Sequence, residues 1–98
     1  FMPGSVAHHK TKNELWVTDP ENGKVHYWTW NVGNSMWEYG NSFNTGDGAH
    51  AIAFSRDGTT AYVTNQMAGT VSVIQVNGHL KVKDISVGPK PNGIVLKY

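Results

Sequence analysis

Ala61-Tyr62-Val63-Thr64-Asn65, followed by Gly69-Thr70-Val71-Ser72-Val73-Ile74, is the stretch on which the fold turns. Each run is short, rich in β-branched residues and closed by Asn or Gly, which is how antiparallel strands joined by tight turns are written. Asp84-Ile85-Ser86-Val87-Gly88 and Pro91-Asn92-Gly93-Ile94-Val95-Leu96 continue in the same manner, so this half of the chain reads as a meander.

Upstream the pattern recurs. Trp16-Val17-Thr18-Asp19 matches Tyr62-Val63-Thr64-Asn65, and Gly23-Lys24-Val25 matches Gly69-Thr70-Val71, both displaced by 46 residues. Self-similarity at a period of about 40 to 50 residues, with four strands per unit, is the mark of propeller blades. Strands are expected over residues 4–9, 14–18, 24–30 and 36–43, then over 49–54, 61–64, 70–76 and 81–85. Turn chemistry separates them: Asp19-Pro20-Glu21-Asn22-Gly23 supplies a preset φ and two residues tolerant of positive φ, and Asp57-Gly58 favours a tight hairpin. The run Gly93 to Leu96 matches Ile52-Ala53-Phe54 at an offset of 42 residues, Ile52 to Ile94, and opens a third unit.

The expected fold is therefore all-β: a partial β-propeller with a first blade in residues 1–45, a second in 46–87 and the inner strand of a third in 88–98. Stacked blades bury both faces, and about three repeats are needed before such an array is stable alone. A chain of 98 residues is thus expected to be a fragment of a longer polypeptide or one subunit of a ring. Its partners are first of all other blades.

Composition removes several alternatives. A net charge of +1 with scattered lysines gives no basic face for nucleic acid or an anionic membrane. No window approaches the roughly 18 apolar residues that a membrane span requires, and no basic segment followed by an apolar one resembles a signal peptide. With no cysteine there is neither a disulfide framework nor a thiolate metal site, although this does not fix the compartment.

Ala61-Tyr62-Val63-Thr64-Asn65, Gly69 to Ile74 and Val87-Gly88-Pro89-Lys90-Pro91-Asn92-Gly93-Ile94 resemble the YVTN β-propeller repeat of surface-layer and periplasmic proteins. Ala53-Phe54-Ser55-Arg56-Asp57-Gly58 is similar to that family's apolar-Ser-Pro-Asp-Gly turn, with Arg56 in place of Pro. The first unit is a divergent copy, with Trp16 and Asp19 for Tyr and Asn, and Tyr27-Trp28-Thr29-Trp30 for the usual run. The resemblance implies about seven blades, a periplasmic, extracellular or cell-surface setting, and a binding or scaffolding role for a protein partner or small ligand. It also places the first strand of each blade along a central channel. The loops leading into those strands, residues 44–50 and 88–92, then share the ligand face with loops 19–23 and 65–69. On that geometry His50, Asp47, Asn92, Asp19 and Asn65 are the ligand-binding candidates.

His8, His9 and His50 fall on or beside channel-lining strands, and imidazole suits copper, zinc or haem iron. They are the metal candidates of the alternative reading, a blade pair from a periplasmic metal- or haem-dependent oxidoreductase. Adjacent His8 and His9 point to opposite faces of a strand, however, and a metal site needs three or more converging ligands. The leading reading carries no cofactor and no catalytic residue, since no nucleophile and base can be assembled by spacing. Trp28, Trp30, Trp37 and Tyr39 could stack on sugars, but aromatic residues on the outer strands of a blade are first read as packing against the next blade.

Overall fold

The computed structural model describes residues 1–88. Eight strands run in chain order: β1 (Val6–His9), β2 (Glu14–Asp19), β3 (Lys24–Asn31), β4 (Met36–Asn44), β5 (Ala49–Phe54), β6 (Thr60–Asn65), β7 (Thr70–Gln75) and β8 (Leu80–Ser86). They form two four-stranded antiparallel meanders, β1-β2-β3-β4 and β5-β6-β7-β8, with no helix among the described residues. This is the arrangement of two blades. The expected third-blade strand at Gly93 to Leu96 lies outside the described residues, as does Asn92.

Register follows from the turns. In the first sheet Asp19 pairs with Lys24 and Val17 with His26; in the second, Asn65 pairs with Thr70 and Val63 with Ser72, the same register 46 residues later. Both outer hairpins carry a bulge at the same place, between Tyr27 and Trp28 in one and between Val73 and Ile74 in the other. The repeat thus extends to irregularities, which bend and twist the outer strands.

Alternation divides each sheet into two faces. Glu14, Trp16 and Thr18 of β2, with Val25 and Tyr27 of β3, face the second sheet, where Trp16 packs edge-on to Phe54 at 5.0 Å. Trp16 also meets Phe43 at 5.2 Å, so one fully buried indole joins β2, β4 and β5. Around it the core comprises Val25, Ala49, Ala61, Val63, Ile74 and Val76. The opposite face of the first sheet carries Val17, His26, Trp28, Trp30, Trp37 and Tyr39.

Candidate functional site

Three loops meet at one end of the two sheets. Residues 45–48, which lead from β4 into β5, are wedged between turns 20–23 and 66–69. Gly48 N–H donates to Pro20 O at 3.0 Å, while Gly48 O accepts from Gln66 N–H at 3.0 Å. Asp47 O accepts from Met67 and Ala68 N–H at 3.1 Å each. Gly48 needs to be glycine: its φ is +76°, and a Cβ there would lie 2.6 Å from Met67 N. The linker and both inner turns therefore form one platform, bonded through backbone groups.

The sequence candidates at this end separate into accessible and internal groups. Asp47 is exposed and His50 half-buried; the His50 carbonyl accepts from Thr18 Oγ1 at 3.0 Å, and its ring bonds no other described residue. Asp19 and Asn65 are buried, and each closes its own turn from within. Asp19 Oδ1 accepts from Asn22 N–H at 3.3 Å, and Asn65 Nδ2 donates to Thr70 Oγ1 at 3.0 Å and Ser72 Oγ at 2.9 Å. Asn65 Oδ1 is buried with no hydrogen-bond partner among the described residues; a Cβ at Gly46 would lie 2.9 Å from Asn65 Cγ, so the amide packs against a position that needs glycine. Ser72 Oγ in turn sits 2.6 Å from Asp84 Oδ1 and 3.2 Å from Thr45 O, where Lys81 Nζ also donates at 3.0 Å. Burial alone would raise the Asp84 pKa, but hydrogen bonds from Lys81 and Ser72 and the Lys81 charge hold it below 3.8.

On the outer face of the first sheet the equivalent positions carry a different set. His26 Nε2 lies 2.9 Å from Asp19 Oδ2 and His26 Nδ1 2.9 Å from Tyr39 Oη, with Phe1 stacked on the imidazole at 4.1 Å. An ionised carboxylate only accepts, so Nε2 carries the proton and in the neutral ring Nδ1 accepts from the phenol. Burial pushes the Asp19 carboxyl up, but bonds from His26 and from the Asn22 side chain and backbone outweigh it and leave the pKa below 3.8. By register this carboxylate and imidazole occupy the places that Asn65 and Ser72 hold in the second blade, and the phenol occupies that of Lys81.

The remaining histidines lie at the opposite end. His9 Nε2–H donates to Gly58 O at 2.8 Å and Nδ1 accepts from Lys12 N–H at 3.1 Å, so both ring nitrogens are engaged. His8 points to the other face, 2.7 Å from Asn13 Oδ1, as strand alternation requires. A cleft of about 140 Å³ lies beside them, walled by Lys10 and Thr11 on one turn and residues 54–58 on the other. His9 packs on Phe54, four residues along β5 from His50, so roughly 13 Å of strand separates them. The two ends cannot share one ion. Among the described residues no three or more His, Asp or Glu side chains gather as a metal-binding group.

At this end too, Glu14 Oε1 accepts from Trp16 Nε1 at 3.0 Å and from His79 Nε2 at 2.9 Å, while Lys12 Nζ lies 3.7 Å from Oε2. His79 stacks on Tyr27 at 3.7 Å, nearly parallel, with its backbone at φ 50°. The pair fastens the last hairpin of the second blade to the first. Neither His26 nor His79 is among the site candidates of the sequence analysis. The Asp19–His26 pair was recoverable from hairpin register, since Asp19–Lys24 pairing puts His26 diagonally beside Asp19. The Glu14–His79 pair, 65 residues apart, carried no such signal.

Comparison with known proteins adds a family and a fold neighbour. The sequence model of a family described as lactonase, seven-bladed β-propeller, matches residues 4–92. In structure the chain is similar to Kuenenia stuttgartiensis hydrazine synthase, with a TM-score of 0.79 and 21% identity over 93% of this chain and 25% of that one. At that identity the likeness shows the fold alone, and the chain spans about a quarter of that neighbour. No curated protein matches.

Proposed function

Because the chain belongs to the seven-bladed β-propeller lactonase family, we propose that it supplies two adjacent blades of a larger propeller acting as a binding or scaffolding module outside the cytoplasm. The observation that carries this reading is the three-loop platform. Its backbone bonds hold Asp47 rigidly at the surface beside half-buried His50, with Asp19 and Asn65 bracing the turns below. A preformed surface with two accessible polar groups suits recognition of a protein or small polar ligand. Asn92, a ligand candidate from the sequence reading alone, lies outside the described residues and is the further member of the proposed ligand set. The YVTN-like repeat in the second blade supports a periplasmic or cell-surface setting, with the other blades as the nearest partners.

The competing reading is a blade pair of a periplasmic oxidoreductase with copper or haem iron at the channel. His50 would be its ligand, since it alone of the three candidate histidines lies at the platform end. The fold neighbour is named for a synthase of hydrazine, which is the specific reason to keep this reading in view.

Intact mass and metal analysis of the native assembly separate the two. A single polypeptide on the order of 300 residues or more, about seven units of roughly 46, is expected. Copper and iron should be substoichiometric, and Asp47→Ala with His50→Ala should leave the melting temperature within about 1 °C, as surface changes do. Stoichiometric copper or iron that is lost in His50→Ala would overturn the scaffold reading in favour of the oxidoreductase.

A further inference from the structure

The chain contains three Asn-Gly pairs, Asn22-Gly23, Asn77-Gly78 and Asn92-Gly93, of which the last lies outside the described residues. Asn-Gly is the dipeptide most open to spontaneous loss of the side-chain amide. The backbone nitrogen of the following residue attacks the asparagine Cγ, and glycine, having no Cβ, leaves that approach unhindered. Both described pairs sit in turns, and the fold treats them in opposite ways.

Asn22 is held on both sides of the reaction. Its Nδ2, the group that would leave, donates to Asp19 Oδ1 at 3.2 Å and to Oδ2 at 3.0 Å, and its backbone N–H donates to Oδ1 at 3.3 Å. Gly23, which would supply the attacking nitrogen, is buried at φ +64°. Its carbonyl accepts from Thr45 N–H at 2.9 Å, and a Cβ on it would lie 3.1 Å from Gly46 C. Attack there requires the side chain to leave the carboxylate and the peptide to rotate against the platform. Asn77 and Gly78 are the central residues of the β7–β8 turn, which His79 N–H closes by donating to Val76 O at 3.1 Å. Both are exposed, and among the described residues no acceptor holds the Asn77 amide or the Gly78 N–H.

We propose that Asn77 is a self-modifying site. Gly78 N bonds to Asn77 Cγ, the Cγ–Nδ2 bond breaks, and ammonia leaves with the proton that Gly78 N gives up. Water, the sole co-reactant, then opens the cyclic imide at one carbonyl or the other, yielding aspartate or isoaspartate. Either product adds a carboxylate to the turn, and isoaspartate also inserts a methylene into the backbone. The same turn presents His79 at φ 50°, stacked on Tyr27 at 3.7 Å and 2.9 Å from Glu14 Oε1. Conversion of Asn77 therefore loosens the fastening between the two blades as the protein ages, while the platform turn around Asn22 keeps its structure.

The test warms the complete polypeptide that carries this chain at mildly alkaline pH and follows both asparagines by peptide mapping, with isoaspartate read by an isoaspartyl methyltransferase. Asn77 should convert at least about tenfold faster than Asn22, since freeing Asn22 costs a hydrogen bond to a charged group and about 1.4 kcal/mol of barrier gives that factor. In strong urea the two rates should converge, because each pair is then free of its surroundings. Gly78→Ala should slow conversion at Asn77 severalfold; its Cβ would meet Gln75 Oε1 at 3.3 Å and Leu80 Cβ at 3.7 Å, which leaves the turn intact. The converted fraction, separated by ion exchange, should melt below the unmodified protein. Conversion at Asn77 no faster than at Asn22 in the folded protein overturns the proposal, and so does an unchanged rate in folded Gly78→Ala. Should that variant fail to fold, the comparison of Asn77 with Asn22 in the unmodified polypeptide decides alone. A converted fraction that melts with the unmodified protein overturns the effect on the seam.

Discussion

Glu14 is a carboxylate in an almost dry place, held from three parts of the chain: by hydrogen bonds from Trp16 on its own strand and His79 from the other blade, and by the charge of Lys12 on the preceding turn. Burial by itself would push its pKa up, but hydrogen bonds from His79 and Trp16 and the nearby charges prevail and hold it below 4.5. Removing the acceptor strands two donors, so Glu14→Ala should cost about 2 to 3 kcal/mol in urea unfolding of the complete polypeptide, with Glu14→Gln costing roughly half as much. The sign of the pH dependence follows from depression of Glu14 and Asp19 alike. A carboxyl with a lowered folded pKa stabilises fully above its unfolded value and loses that contribution as pH falls through the folded one. The melting temperature should therefore hold steady near neutrality and decline below pH 4.5, the ordinary Glu value. Glu14→Gln should flatten part of the decline. A melting temperature that climbs on acidification in that window would refute the assignment.

The outer hairpins show how one element is reused with altered consequences. Both bulges fall at the same repeat position, and the skipped residue is Gly40 in β4 and Val82 in β8. Gly40 lies under the Tyr27 ring, and a Cβ there would sit 2.4 Å from Tyr27 Cε1 and 2.7 Å from Cδ1. That ring cannot easily retreat, because His79 stacks against it at 3.7 Å. Gly40→Ala should accordingly destabilise by about 1 to 3 kcal/mol, as overpacking does. The matching change in the other blade, Val82→Gly at an exposed site, should cost only about 0.5 to 1 kcal/mol, the backbone cost of a strand glycine. Chemical denaturation of both variants checks the contrast, and equal costs would mean that Tyr27 is free to move. Through Tyr27 and His79, a glycine in an outermost strand also bears on the seam between blades.

At the scale of the molecule, two sheets share one seam and leave two faces open. Trp16, Phe43 and Phe54 fill the seam, whereas Trp28, Trp30, Trp37 and Tyr39 line the far side of the first sheet. A repeat array gains stability from nearest-neighbour interfaces, and two blades possess one such interface where a ring member has two per blade. The 98-residue chain expressed alone should therefore melt at lower temperature and over a broader range than the same stretch within the complete polypeptide. Differential scanning calorimetry of both decides, and a sharp, equally high transition for the short chain would show that the second interface contributes little.

Strand identity, hairpin order and repeat length were legible in the sequence because they rest on local chemistry: β-branched runs, turn residues with preset or positive φ, and a 46-residue echo. Tyr62-Val63-Thr64-Asn65 and Asp19-Pro20-Glu21-Asn22-Gly23 say where chains reverse whatever they pack against. That the loops at residues 19–23, 44–50 and 65–69 meet at one end was likewise expected, and the hydrogen bonds at Gly48 and Asp47 bring them together. What tertiary structure alone decided is which polar groups at that end stay accessible. Asp47 and His50 do, whereas Asp19 is covered by His26 and Asn22 on the outer face of the first sheet and Asn65 is buried against the linker, because burial beside a turn depends on which groups fold over it. The Glu14–His79 bond belongs to the same class: it joins groups far apart in the chain, whose juxtaposition no local pattern encodes.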